Sequence, residues 1–199
     1  MKEFYTHLPI ASRDLLHNLL EEHPIEIKVV NTRKSKHGDF RKLPTGHVQI
    51  TLNRHPNPYR FLITLLHEIA HHIAFKVYGF KIQPHGKEWK KCFKHISVPF
   101  LLEQIFPPPL LKVFTQHLRN PKASSDTDLL LSLALREYDP PTNKAPLMTL
   151  SHGTHFQLDN GRIFQKGPQR KKRFECQETA TQRIYLFQPN AEVQPLKHS

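Results

Sequence analysis

Two hydrophobic regimes divide this chain. Up to about residue 138 apolar residues recur at the three- and four-residue spacing of helices, with two short alternating runs between them. Beyond residue 150 alternation dominates, which is the period of strands. Residues 9–22 predict an amphipathic helix with Leu15, Leu16, Leu19 and Leu20 as its stripe, opened by Pro9, capped by Ser12 and stopped by Pro24. Residues 25–31 alternate as a half-buried strand. Residues 32–42 form a basic hairpin or loop with Gly38 and Asp39 at its turn, and residues 47–52 give the next strand.

The longest helical signal follows. Asn57 suits a cap and Pro58 the first helical position, no Gly or Pro occurs from Phe61 to Val77, and Gly79 stands where a C-terminal cap is expected. Leu62, Ile63, Leu65, Leu66, Ile69, Ala70, Ile73 and Ala74 make this helix apolar nearly all round, so it is expected to be buried. A second helix runs from about residue 87 to His95 with Trp89, Cys92, Phe93 and Ile96 on its buried face. Residues 98–118 read as two short helices around Pro107, Pro108 and Pro109, and residues 126–138 as one more after a capping loop.

The prolines of residues 139–146 mark a linker or boundary. After them, T-H-F-Q-L and R-I-F-Q-K flank Asn160-Gly161, a strong hairpin signal. Gly167-Pro168 is expected to make a second turn, followed by strands at K-K-R-F-E-C and R-I-Y-L-F. The predicted fold class is α+β. It comprises a helical domain with a small antiparallel sheet over residues 1–118, a helix and Pro-rich linker over 119–145, and a small four-stranded β-meander over 146–199.

The chemistry concentrates in the apolar helix, where His67, Glu68 and His71 form H-E-x-x-H. One helical turn separates the two histidines, so both imidazoles can reach one ion, with Glu68 beside them to take a proton from water. The plain alternative is a pair of hydrogen-bonded core histidines, but two histidines in a buried helix need partners and one metal supplies both. A zinc site that does chemistry needs a third ligand and an open position. The metzincin position, six residues after His71, is Val77, which excludes that class. His85, in a turn between Pro84 and Gly86, is favoured as the third ligand, with the carboxylate of Glu88 as its competitor.

H-E-x-x-H in an apolar helix followed by H-G-x-E-W resembles the SprT-like zinc metallopeptidases, whose Spartan-type eukaryotic relatives cleave proteins crosslinked to DNA. Residues 32–41 and 50–53 look like the first hairpin of the same domain, and the resemblance spans about residues 8–100. It implies one catalytic zinc held by His67, His71 and His85, with Glu68 as the catalytic residue. Many relatives also carry a zinc ribbon of two C-x-x-C pairs, which Cys92 and Cys176 do not provide. In zincin-type sites a strand runs along the cleft and accepts extended substrate at its free edge, and residues 47–52 are the expected edge.

Charge extends the picture to partners. With 29 Lys and Arg against 17 Asp and Glu, a net charge of +12 favours nucleic acid over an anionic surface. The expected substrates are proteins associated with DNA. Two cysteines give no disulfide framework and suit a reducing cytoplasm, so a cytoplasmic protein is expected, nucleoid-associated if the DNA binding holds. The most apolar stretch, Val98 to Leu111, is interrupted by Glu103, Gln104 and prolines, so no membrane span is expected. In the C-terminal segment Arg162, Lys166, Arg170, Lys171, Lys172 and Arg173 interleave with Phe156, Phe164, Phe174, Tyr185 and Phe187. That pattern fits either a single-strand platform or an alternating core. His152, His155 and Cys176 are candidate ligands for a second metal that lacks an evident fourth. Two rival functions remain open here: a non-catalytic nucleic-acid-binding factor with a structural zinc, and a zinc hydrolase of a non-protein substrate.

Overall fold

The computed structural model describes residues 3–33, 36–43, 46–79 and 81–196. Lys34 and Ser35, in the basic segment between the first two strands, lie outside the described residues. The chain divides into two units, residues 1–140 and 141–199.

In the first unit two short 3-10 turns lead into α1 (Arg13–Glu22), followed by strands β1 (Glu26–Val30), β2 (Gly38–Lys42) and β3 (Val48–Asn53). The helices α2 (Pro58–Tyr78), α3 (Lys87–Ser97), α4 (Pro108–His117) and α5 (Leu129–Arg136) complete it. The sheet has the order β1-β3-β2, with the antiparallel pairing expected for β2 and β3 and β1 added in parallel to β3. Helix α2 lies at the centre of the core. Phe61, Leu62, Leu65, Leu66, Ile69, Ala70 and Ala74 are buried in it, joined by Ile50 and Leu52 of β3, Trp89 and Phe93 of α3, Phe114 of α4, and Leu131 and Leu135 of α5.

Two expectations are corrected in the sheet. Gly38 and Asp39 are not at a turn: they begin β2, opposite Leu52 and Thr51. The turn lies further on, where the Leu43 N–H donates to His47 O at 2.8 Å and Gly46 takes a φ of 85°. Extending the strand lets Phe40 pack on the rings of His72 and Phe75, each 6.0 Å away. Residues 47–52 are not an edge either, because β1 occupies one side of β3 and β2 the other. The free edge beside α2 is β2.

The N-terminus of α2 is fixed by one buried side chain. Asn57 Oδ1 accepts from the Tyr59 and Arg60 N–H groups at 3.0 and 3.1 Å, the capping role read from the sequence. Its Nδ2 donates to Leu135 O at 2.8 Å and to Asp139 Oδ1 at 2.7 Å, tying α2 to the end of α5. Arg60 adds ion pairs to Asp139 at 2.7 Å and Asp126 at 3.2 Å.

The second unit is a six-stranded sheet. Its strands are β4 (Ala145–Pro146), β5 (His155–Gln157), β6 (Ile163–Arg170), β7 (Arg173–Glu178), β8 (Ile184–Phe187) and β9 (Glu192–Pro195), in the order β4-β9-β5-β6-β7-β8. The predicted meander is β5 to β8, with β9 and β4 added beyond β5. Asn160-Gly161 makes its turn with Gly161 at φ 82°. Gly167-Pro168 makes none: β6 runs through it with a register irregularity between Lys166 and Gln169, and the chain turns at Lys171, φ 53°. A Cβ at Gly167 would lie 2.6 Å from Glu175 O, so this glycine serves close strand approach.

Phe156 and Phe164 are fully buried with Leu147, Cys176 and Val193, and Phe174, Tyr185 and Phe187 pack against them. Phe156 and Phe164 are therefore core, with the other three aromatics half-buried against them. Arg162 pairs with Glu178 at 2.6 Å, and Lys166 donates to Leu150 O at 2.5 Å, whereas Lys171, Lys172 and Arg173 are exposed at the hairpin tip. Among the described residues no helix is long and apolar enough to cross a membrane.

Asn57→Ala removes a cap and leaves the Leu135 carbonyl and part of Asp139 without their donor. It is expected to lower the unfolding free energy by about 2–4 kcal/mol in urea titrations, while Asn57→Asp, which keeps the cap but repels Asp139, recovers only part of the loss.

Candidate metal centre

Because α2 is buried nearly all round, its polar residues are confined to one strip, and His67 and His71 point from it toward the turn before α3. That turn carries His85 in the left-handed region, φ 57°, a conformation uncommon outside glycine. It is held by the Gly86 N–H donating to Gln83 O at 2.9 Å, an approach so close that a Cβ at Gly86 would meet the same oxygen at 2.9 Å. A strained backbone retained by its surroundings is common where a side chain must be aimed. Here it aims His85 back at α2.

The three rings meet through their Nε2 atoms. His67 and His85 are 3.0 Å apart, His71 and His85 3.0 Å, and His67 and His71 3.2 Å. Tetrahedral ligands about 2.05 Å from one zinc ion stand about 3.3 Å from each other, so the spacing fits a cation at their common point. The three histidines can hold a metal ion, and among the described residues no other group of three or more His, Cys, Asp or Glu is brought together in this way. Glu88, the competing third ligand, lies outside the group. His152, His155 and Cys176 form no such group, and Cys176 is buried in the core of the second unit.

Trp89 wedges the three rings apart from the core. Its ring centre is 4.6 Å from His67, 4.8 Å from His85 and 5.4 Å from His71, and its Nε1 is 3.4 Å from the carbonyl of His67. Burial keeps the imidazoles uncharged. It drives His67 down to about 2, helped by repulsion from His71, His85 and His117, and His71 down to about 4, helped by His85. His85 is lowered by burial as well. Neutral rings are what a metal requires, since a protonated nitrogen has no lone pair to give.

Glu68 sits beside the tripod with 7% of its surface exposed. Burial, and then the Asp39 carboxylate, push its pKa up to about 7, against the pull of Lys36, Arg33 and a hydrogen bond from the Phe40 N–H. The strand passes so near that a Cβ on Gly38 would fall 2.7 Å from Glu68 Oε1 and 2.8 Å from its Cγ. Gly38, read from the sequence as a turn residue, is there to let β2 close over the carboxyl.

Tripod and carboxyl open onto a cavity of about 490 Å³. Its walls are the start of β2, with Arg33, Lys36 and Asp39 around it, and the segment Ala123–Asp126 before α5. The two walls touch where His37 Nε2 meets Asp126 Oδ2 at 2.5 Å. His117, at the end of α4, also lines the cavity. Neither His117 nor the 123–126 wall was marked in the sequence, where nothing local distinguishes them.

Comparison with known proteins locates the likeness on this unit. The SprT-like family model matches residues 15–107. Protein SprT of Vibrio parahaemolyticus serotype O3:K6 (strain RIMD 2210633) is 48% identical over 41 residues, 20% of this chain and 24% of that protein. The match thus spans about a quarter of the relative's length. No solved structure matches.

Trp89, the sole tryptophan, reports on the site directly. Cobalt(II) is expected to quench its fluorescence and saturate at one equivalent, and His85→Ala to weaken that binding by more than about 100-fold, since loss of outer-shell partners alone costs 10–100-fold. Undiminished affinity in the variant would remove His85 from the ligand set. The carboxyl makes a second expectation. A group easier to protonate folded than unfolded stabilises the fold at low pH, and that stability fades as pH rises from about 4.5 to about 7. In metal-free protein the unfolding free energy of the wild type, relative to Glu68→Gln, should fall by about 3 kcal/mol across that window. A flat difference would contradict the raised pKa.

Proposed function

From the premise that residues 15–107 form a SprT-like domain, we propose that this protein is a zinc-dependent peptidase acting on proteins associated with DNA. One observation carries the reading: three converging imidazole nitrogens and a carboxyl of raised proton affinity face the same cavity. His67, His71 and His85 would hold the ion beside the cavity. When bound, zinc supplies Lewis acidity, polarising the scissile carbonyl and bringing the pKa of water to about 7.

Glu68 is the base. It receives the proton of the attacking water on a carboxylate oxygen and delivers it to the leaving amine. Its proton affinity, raised by burial in the metal-free site, suits a group that must take up a proton and give it back. The Phe40 N–H and the close passage of Gly38 fix its orientation. A structural metal site has no use for a carboxyl held in this way, which counts against a purely structural role.

The edge of β2 is the proposed substrate rail. The Asn53 N–H donates to His37 O, and the Leu43 N–H to His47 O, so the odd-numbered residues of β2 bond to β3. The backbone groups of Gly38 and Lys42 and the Phe40 carbonyl then face away from the sheet, while the Phe40 N–H is taken by Glu68. An extended peptide added there would be gripped through its backbone, with little regard for its side chains. Specificity would come from location. The net charge of +12 and the exposed Lys171, Lys172 and Arg173 support recruitment to nucleic acid phosphates, weakening steeply with salt.

The test is cleavage of a basic DNA-binding protein by zinc-loaded wild type and Glu68→Gln, with and without single-stranded DNA. Wild type should cleave, faster with DNA, and the variant should retain zinc yet lose about 10²–10⁴ in rate. Equal cleavage by the two would remove Glu68 from the chemistry. No cleavage by either, with zinc and DNA bound, would favour the binding factor.

A further inference from the structure

The peptidase reading leaves His117, a buried polar group on the cavity, unassigned. His117 is the last residue of α4, has 5% of its surface exposed, and lines the cavity together with His67, His71, His85 and Glu68. Its Nδ1 lies 2.8 Å from Asp128 Oδ2, and Asp128 is in turn the N-cap of α5, its other oxygen accepting from the Leu131 N–H at 3.3 Å. An ionised carboxylate only accepts, so Nδ1 carries a hydrogen and donates to it. The ring is clamped between Phe93, 6.2 Å away edge-on, and Phe114, stacked at 6.4 Å. Among the described residues Nε2 has no hydrogen-bond partner. A buried imidazole oriented by a carboxylate, with its second nitrogen left for the cavity, is built to meet something there.

We propose that His117 is a further catalytic residue, donating a hydrogen bond from Nε2 to the carbonyl oxygen of the scissile peptide, and that Asp128 is its positioning residue. The inference rests on the peptidase reading. In it both ring nitrogens act as donors, Nδ1 to the Asp128 carboxylate 2.8 Å away and Nε2 to the substrate. The water oxygen bonds to the carbonyl carbon, the carbonyl π pair moves onto its oxygen, and Glu68 takes the water proton. As the oxygen becomes negative, the Nε2–H bond to it strengthens. When the C–N bond breaks, the oxygen lone pair re-forms the carbonyl and Glu68 protonates the departing nitrogen. His117 keeps its proton throughout, so it stabilises charge without entering the proton count. Both residues lie beyond residue 107, outside the segment matched by the family model. The helices that follow that segment thus supply part of the machinery.

Three proteins and two readouts test this. Wild type, His117→Ala and Asp128→Asn are loaded with zinc, with loading checked by Trp89 fluorescence. Each is assayed for peptide cleavage and, separately, for equilibrium binding of a phosphinic peptide, whose anionic oxygen mimics the developing charge. His117→Ala should lower kcat by about 10²–10³ with little change in KM, and weaken the phosphinic peptide by a similar factor while an uncleaved product peptide binds as before. Asp128→Asn keeps the helix cap, because Asn and Asp cap equally well, so the fold should survive; a loss of about tenfold in both readouts is expected from the missing charge. Unchanged kcat and phosphinic affinity in His117→Ala would overturn the role. Parallel loss of zinc, product and phosphinic binding would overturn it in favour of a packing role. If wild type cleaves while the variants match it, only this inference fails; if wild type neither cleaves nor binds the phosphinic peptide, the peptidase reading falls and takes this one with it.

Discussion

The first unit depends on one constraint: a helix that is buried on almost every side must nonetheless carry His67, Glu68 and His71 at a candidate metal centre. Glu68 and the histidines of α2 have lost most of their water, and a buried charge without a partner costs several kcal/mol. The histidines meet that cost by staying neutral, with His67 driven down to about 2, and the carboxyl meets it by titrating near 7. Each response leaves a usable group. Neutral imidazoles keep the lone pairs that a metal needs, and a carboxyl of raised affinity can both take and give a proton. On the proposed function, the same desolvation that threatens the fold prepares the chemistry.

What surrounds α2 follows from this. The Cβ position of Gly38 is left empty so that β2 can cover Glu68, and His85 is held at positive φ so that its ring turns inward. Trp89 packs against all three rings, its centre 4.6 Å from His67, 4.8 Å from His85 and 5.4 Å from His71. At the far end of the same helix Asn57 and Arg60 reach Asp126, Leu135 and Asp139, which hold α5 and its approach segment against the cavity. A polar network of this kind is worth having only when nearly every member is satisfied. Its price is that the cavity wall and the helix cap cannot be altered independently.

The parts legible in the sequence were those written in local spacing. His67, Glu68 and His71 declare themselves because a helix places residues four apart on one face, and Asn57, Pro58 and Gly79 mark its ends. His85 stood out through its turn, between Pro84 and Gly86. The strand order was not legible: that β1 lies parallel to β3, and so denies it an edge, depends on pairing between residues more than twenty apart. Gly38-Asp39 and Gly167-Pro168 misled for a shared reason. Both look like turns, yet in each case the glycine serves a close approach, to Glu68 in one and to Glu175 in the other. His117 and Asp128 carry no sequence mark at all, since each is ordinary until the fold sets them 2.8 Å apart.

In the C-terminal unit, residue types that suit a stacking platform also suit a small core, and burial decides between them. Phe156 and Phe164 are fully buried, Phe174, Tyr185 and Phe187 pack on them, and Arg162 is drawn over the rings of Tyr185 and Phe164 by its pair with Glu178. The fully buried rings of Phe156 and Phe164 cannot stack on a base. What the sheet still offers to a nucleic acid is the charge of its Lys171–Arg173 tip, and charge alone binds phosphate without reading sequence. Paired with a β2 edge that would grip backbone rather than side chains, that yields a consistent design on the proposed function: neither the nucleic acid nor the protein substrate is chosen by sequence, so selectivity has to come from their being in the same place.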